Sequence, residues 1–150
     1  MRDIFDLYAI DTLLSDEERA IRETVARFGA AQLRPHVAQW FEDGLLPARD
    51  IARRLGEVGV LGMHLTGFGC AGTNAVSYGL ACLELEAVDS GLRSLVSVQG
   101  SLAMFAIHAY GSEEQKEHWL PPMAAGEVVG CFGLTEPDFG SNPAGMRTSA

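Results

Sequence analysis

The stretch from Ser90 to Tyr110, SGLRSLVSVQGSLAMFAIHAY, constrains this chain more than any other. Leu92, Leu95, Val96, Val98, Leu102, Met104, Phe105 and Ile107 cover most of a helix's circumference, which marks a buried helix rather than a surface one. Arg93, Ser94, Ser97, Gln99 and Ser101 interrupt the apolar run, so it is not a membrane span, which needs about 20 predominantly apolar residues.

Arg93 does not fit such a helix. It is the only Lys or Arg between Arg54 and Lys116, and it shares a stripe with Ser97 and Ser101 at i, i+4 and i+8. Gly100 lies beside that stripe and keeps it shallow. A buried guanidinium must find an anion, because an unpaired buried charge is costly. Spacing leaves two readings open. One is a structural ion pair with Glu84, Glu86 or Asp89. The other is an anion pocket, in which the guanidinium forks onto a substrate carboxylate and the serines supply hydroxyls.

The flanking sequence is also mostly helical. Ser15-Asp16-Glu17-Glu18 and Ser112-Glu113-Glu114-Gln115 are capping boxes. Behind the first, Ile21, Val25, Phe28 and then Ala31 or Gln32 follow the 3.6 period, until Pro35 bends or ends the helix. Pro47 opens another helix, with Ile51, Leu55 and Val58 inward. Glycines from Gly56 to Gly72 predict a connecting loop. Helix returns with Val76, Leu80, Leu83 and Ala87, and Asp89-Ser90 caps the buried helix. The helix behind Ser112 should reach Trp119 and Leu120. Val128 to Thr135 is β-rich and predicts a strand, followed by a loop from Glu136 to Pro143. An isolated strand cannot satisfy its own backbone groups, so this strand announces a β region.

Charge and cysteine content narrow the function classes. A net charge of −9 with no cluster of Lys and Arg argues against nucleic acid and anionic membrane as partners. Cys70, Cys82 and Cys131 form no C-x-x-C pair and no disulfide framework, and no zinc-like spacing surrounds them, so no metal is expected. Met1 to Leu14 carries three aspartates and one arginine, which fits neither a secretory signal nor a transit peptide and suggests a cytoplasmic protein. His36, His64, His108 and His118 are read as surface or satisfied helix residues, and Trp40 and Trp119 as packing anchors.

Four blocks carry a resemblance. They are Phe68-Gly69-Cys70-Ala71-Gly72; Glu84-Leu85-Glu86 through Asp89-Ser90-Gly91-Leu92-Arg93-Ser94; Tyr110-Gly111-Ser112-Glu113-Glu114-Gln115-Lys116; and Gly130-Cys131-Phe132-Gly133-Leu134-Thr135-Glu136-Pro137 with Gly140-Ser141. The last resembles the flavin-loop signature of acyl-CoA dehydrogenases, and the arginine block resembles their glutaryl-CoA branch. The resemblance runs from about Leu14 onward. It implies a mainly α fold, with an N-terminal α-helical domain over residues 1–125 and the start of a middle β domain over residues 126–150. A C-terminal helical domain would lie outside this sequence.

The resemblance also implies FAD as cofactor, an acyl-CoA substrate, an electron-transfer flavoprotein as partner and a homotetramer. Backbone groups of Phe132 and Leu134, with the Thr135 hydroxyl, would bond the polar edges of the isoalloxazine ring. Gly140 would let the chain approach closely, and Ser141 would contact FAD or the thioester. Arg93 would hold the distal carboxylate of glutaryl-CoA with Ser97, and Ser94 would line the same cavity. Glu86 or Glu84 would tune Arg93. The implied reaction is α-proton removal with β-hydride transfer to flavin, then decarboxylation to crotonyl-CoA.

No catalytic residue of that reaction falls in this chain. The glutamate base is expected in the C-terminal domain, and Glu136 is read as a turn carboxylate satisfying nearby amides. Leu92 and Asn142 depart from the family pattern, which has an aromatic and an aspartate more often at these places. The alternatives are a dehydrogenase for another short-chain or dicarboxylic acyl-CoA, and a non-catalytic truncated helical module.

Overall fold

The structure is a computed structural model that describes residues 8–149; the reading of the N-terminal acidic stretch lies partly outside them. Both capping boxes form. In α1 (Asp16–Phe28) the Ser15 hydroxyl accepts from the Glu18 N–H while the Glu18 carboxylate takes the Ser15 N–H at 2.8 Å. In α7 (Glu113–Ala124), Ser112 and Gln115 repeat the exchange. Each box satisfies two amides that the first turn of a helix leaves without partners.

Between them lie α2 (Arg34–Asp43), α3 (Ala48–Val58), α4 (Ala75–Glu86), α5 (Ser90–Ser97) and α6 (Phe105–Tyr110). The fold is mainly α, as expected. α1 packs on α4, α4 on α5, and α6 on α7. The helix from Ser90 to Tyr110 runs through two apolar clusters. Leu92 and Val96 sit with Val25, Leu33, Leu55 and Leu85 in one. Ala103 and Met104 sit with Leu65, Leu120 and Met123 in the other. Each Leu, Val or Met side chain taken from water contributes about 1.5–3 kcal/mol, which is why this helix organises the fold. Its cover is incomplete: Leu102 and Phe105 remain 43% and 45% exposed.

Several local expectations need correction. A π-helical segment, Gly29–Leu33, lies just ahead of Pro35, whose missing N–H removes an α-type partner. The wider turn brings Leu33 into the core and leaves Ala31 and Gln32 exposed. A second π segment, Val98–Met104, joins α5 to α6. On α4 the buried stripe is Ser77, Ala81 and Leu85, whereas Val76 and Leu83 are exposed. Because α4 is apolar nearly all round, its sequence did not say which face would turn inward.

The glycine-rich stretch is not all loop. Gly56 lies within α3, and residues 66–71 form a hairpin of β1 (Thr66–Gly67) and antiparallel β2 (Cys70–Ala71). Phe68 and Gly69 at its tip both have positive φ, the signature of the two-residue turn that suits a hairpin's twist. α7 continues four residues past Leu120 through Pro121 and Pro122, because Leu120, Met123 and Ala124 are buried there. Residues 128–135 form no strand. They carry no regular structure, since no second strand stands beside them among the described residues.

Candidate functional site

Two groups of residues are candidates for the site. The first faces α4. Arg93 stands just inside α5, whose N-cap Asp89 accepts from the Gly91 N–H at 2.8 Å. The guanidinium donates through Nε to Glu86 at 2.7 Å and through Nη1 to the Ser97 hydroxyl at 3.3 Å. Ser97 in turn donates to the Ser94 carbonyl at 3.2 Å. Glu86 thus supplies the ion pair that the sequence left open among three acids. Of the other two, Asp89 is the cap and Glu84 lies 3.7 Å from Arg22.

Arg93 is not buried as its helix suggested: its side chain is 39% exposed, with the charge raised in persistence by the Glu86 hydrogen bond. A guanidinium braced from one side and open on the other can meet an anionic group that arrives from outside. Ser101, the third member of the stripe, instead bonds the Tyr78 hydroxyl at 2.7 Å. Tyr78 and Cys82 line the same side of α4, and burial pushes both the phenol and the thiol upward. Burial does the same to Cys70, so neither thiol has thiolate character.

His64 is half-buried and lies outside any helix. It sits in a turn, 4.6 Å from the Tyr78 ring between centroids. Its Nδ1 is buried without a hydrogen-bond partner among the described residues. Burial is the main cause lowering its pKa, and His108 adds to it.

The second group lies along residues 128–148. Phe132, Leu134, Thr135, Gly140 and Ser141 are all exposed. The backbone N–H and C=O groups of residues 131–135 make no hydrogen bond with another described residue. That exposed row of unused donors and acceptors is the set a planar ring with polar edges needs, so the segment fits a flavin. Ser141 and Gly140 belong to the following loop, where Gly140 has open space around it. No hydrogen bond joins these residues to Arg93, Ser94 or Ser97 among the described residues.

Glu136 is committed elsewhere. Its carboxylate accepts from the Arg147 N–H at 2.9 Å, the Thr148 N–H at 2.6 Å and the Thr148 hydroxyl, and the hydroxyl bond leads in holding it below the usual carboxylate range. It is the turn carboxylate its sequence context suggested and a poor proton acceptor. Arg147 stacks over Phe139 at 5.5 Å, closing the same loop.

Gln99 is the residue that sequence reasoning passed over. It is 1% exposed, yet every polar group of its side chain is used. Nε2 donates to the carbonyls of Met123 at 3.0 Å and Val128 at 2.8 Å, and Oε1 accepts from the Gly130 N–H at 2.8 Å. A lone amide on an otherwise apolar face was the available signal; it was counted only as a break in hydrophobicity.

Comparison with known proteins adds a family model and solved structures. The model of the acyl-CoA dehydrogenase N-terminal domain matches residues 15–127. A glutaryl-CoA dehydrogenase from Mycobacterium smegmatis is 68% identical, with a TM-score of 0.91 over 95% of this chain and 37% of that one. A structure of a glutaryl-CoA dehydrogenase from the same organism in complex with FADH2 is 65% identical over the same shares, also with a TM-score of 0.91. The short-chain specific acyl-CoA dehydrogenase of Clostridium acetobutylicum is 32% identical over 142 residues, 94% of this chain and 37% of the relative. This chain therefore spans little more than a third of the length of these relatives.

Proposed function

Because the chain belongs to the acyl-CoA dehydrogenase family, whose N-terminal domain it carries, we propose that it contributes the acyl-recognition and flavin-facing elements of a glutaryl-CoA dehydrogenase. The observation that carries this reading is the braced guanidinium of Arg93, held by Glu86 and Ser97 with one side open. A dicarboxylyl thioester has a distal carboxylate that needs such a counter-ion, whereas a plain fatty acyl chain does not. Ser97 keeps the fork oriented, and Ser94 lines the approach.

The backbone of Phe132 and Leu134 and the Thr135 hydroxyl would hold the ring edges of FAD. Bound there, FAD would accept the hydride taken from the acyl chain. Ser141 would contact the cofactor or thioester, and Gly140 keeps the loop thin where they approach. The proton acceptor, a glutamate, comes from another part of the whole protein, and Glu136 is already committed to its loop. Decarboxylation to crotonyl-CoA, an electron-transfer flavoprotein as electron acceptor, a homotetramer and a cytoplasmic location belong to the same proposal. Among the described residues no helix is long and apolar enough to cross a membrane.

The test compares substrates. In the protein that carries this chain, Arg93→Ala should lower kcat/KM for glutaryl-CoA by about a hundredfold or more while butyryl-CoA loses only a few-fold, since only the former leaves a charge unpaired. Equal losses would return Arg93 to a structural ion pair and favour a dehydrogenase for another short-chain acyl-CoA.

A further inference from the structure

The structure assigns Gln99 a positioning role: its amide clamps residues 128–130 and so fixes where the flavin-facing backbone of residues 131–135 begins. This rests on the flavin reading above. Three observations carry it.

The clamp is specific in chemistry. A backbone N–H can only donate and two carbonyls can only accept, so Gly130, Val128 and Met123 together dictate which way the amide faces. Among the twenty residues only Asn, one methylene shorter, carries the same carboxamide with one acceptor oxygen and two N–H donors. The Met123 carbonyl lies near the end of α7 and also accepts from the Gly126 N–H at 3.2 Å, so the Gln99 amide ties the end of α7, the central helix and the exit segment together.

The segment lies flush on the helix. A Cβ on Gly130 would stand 2.6 Å from the Ala103 Cβ and 2.8 Å from the Met123 Cε, so the backbone reaches Gln99 only because Gly130 has no side chain. Beyond Gly130 the anchoring stops. Residues 131–135 have no hydrogen bond of their own to another described residue, so their course is set by the last fixed point, which is the Gln99–Gly130 bond.

The helix geometry is matched to this use. Gln99 lies in the π segment Val98–Met104, and single wide turns of this kind re-aim side chains relative to a regular helix. Ser97, two positions earlier, faces α4 and Arg93, while Gln99 faces α7 and Gly130. One helix thereby sets the distance between acyl recognition and flavin contact. Gln99 acts through the backbone it holds and touches neither substrate nor reacting atoms.

The experiment uses the FAD-loaded protein that carries this chain, with Gln99→Met and Gln99→Glu, at temperatures well below melting. The expected result is faster amide exchange at Gly130, FAD affinity lower by about tenfold, the worth of about one hydrogen bond, displaced flavin absorption bands and a shifted midpoint potential. kcat should fall while KM for the acyl-CoA stays within about twofold. Gln99→Glu should recover FAD affinity as pH is lowered, because the protonated carboxyl regains one donor for a carbonyl; Gln99→Met should not. If neither variant folds, Gln99→Asn, which withdraws the amide by one methylene, reads the same quantities. Wild-type flavin affinity, spectrum and potential in a variant with a fast-exchanging Gly130 would overturn the inference, as would an unchanged Gly130 amide. A wild-type protein that takes up no FAD would instead overturn the flavin reading itself.

Discussion

Gly100 and Gly62 meet backbone to backbone: a Cβ built on Gly100 would stand 3.0 Å from the Gly62 nitrogen and 3.2 Å from its Cα. The contact seats the π segment of the central helix on the turn that follows α3. Gly62 itself has φ of +64°, in the left-handed region that favours glycine.

Gly100→Ala is therefore expected to destabilise the fold by about 1–3 kcal/mol, the range for forcing an extra methyl into a close-packed contact. Chemical denaturation of wild type and variant checks this. An unchanged midpoint would mean that the two backbones can separate at no cost.

The same pair shows what the sequence can and cannot tell. Gly100 was visible as a small residue next to Arg93, Ser97 and Ser101, and it was read as shaping that stripe; its approach to Gly62, 38 positions away, has no local signal. Caps were legible because they are local: Ser15, Asp89 and Ser112 need only their own next few residues. Leu33 was not, because the π turn ahead of Pro35 breaks the 3.6 period on which face assignment rests. Arg93 and its acidic partner were legible as alternatives, and only the packing of α4 on α5 selected Glu86 over Glu84. The flavin-loop residues came from resemblance, whereas Gln99 depends on carbonyls 24 and 29 residues away that no spacing rule connects.

His64 gives the fold a pH dependence. Its folded-state pKa lies below the ordinary 6.5, first through burial and then through repulsion from His108. A base with a depressed pKa binds fewer protons when folded, so its contribution is full above about pH 6.5 and is lost as pH falls through the folded pKa. Melting temperature should decline below pH 6.5, and His64→Phe, which can keep the contact with Tyr78, should flatten that decline. A slope that survives the substitution would place its origin elsewhere.

Glu86→Gln separates bracing from folding. The pair with Arg93 is partly solvated, with side-chain exposures of 39% and 49%, and such pairs contribute little to stability. The melting temperature should barely move. Gln retains a hydrogen-bond acceptor but no charge, so the guanidinium should wander, and KM for glutaryl-CoA should rise by about tenfold with butyryl-CoA unaffected. A large loss of stability with no change in substrate preference would show that Glu86 serves the fold alone.

Glu136 sets an acid limit on the loop that follows residues 131–135. Its carboxylate gathers the Thr148 hydroxyl and the N–H groups of Arg147 and Thr148, and these bonds depress its pKa below the ordinary 4.5. For a depressed acid the stabilisation is present above the unfolded value and is lost as pH falls through the folded pKa. As pH falls through that depressed folded pKa, on the acid side of 4.5, the carboxylate should protonate, become a donor on one oxygen and release at least one of its amides. Amide exchange at Arg147 and Thr148 should accelerate there, while Gly130, held by the non-titrating Gln99, should stay protected. Glu136→Gln should show the fast exchange at neutral pH already. If Arg147 and Thr148 remain protected in that variant, the loop is held by Phe139 and its stacked guanidinium rather than by the carboxylate.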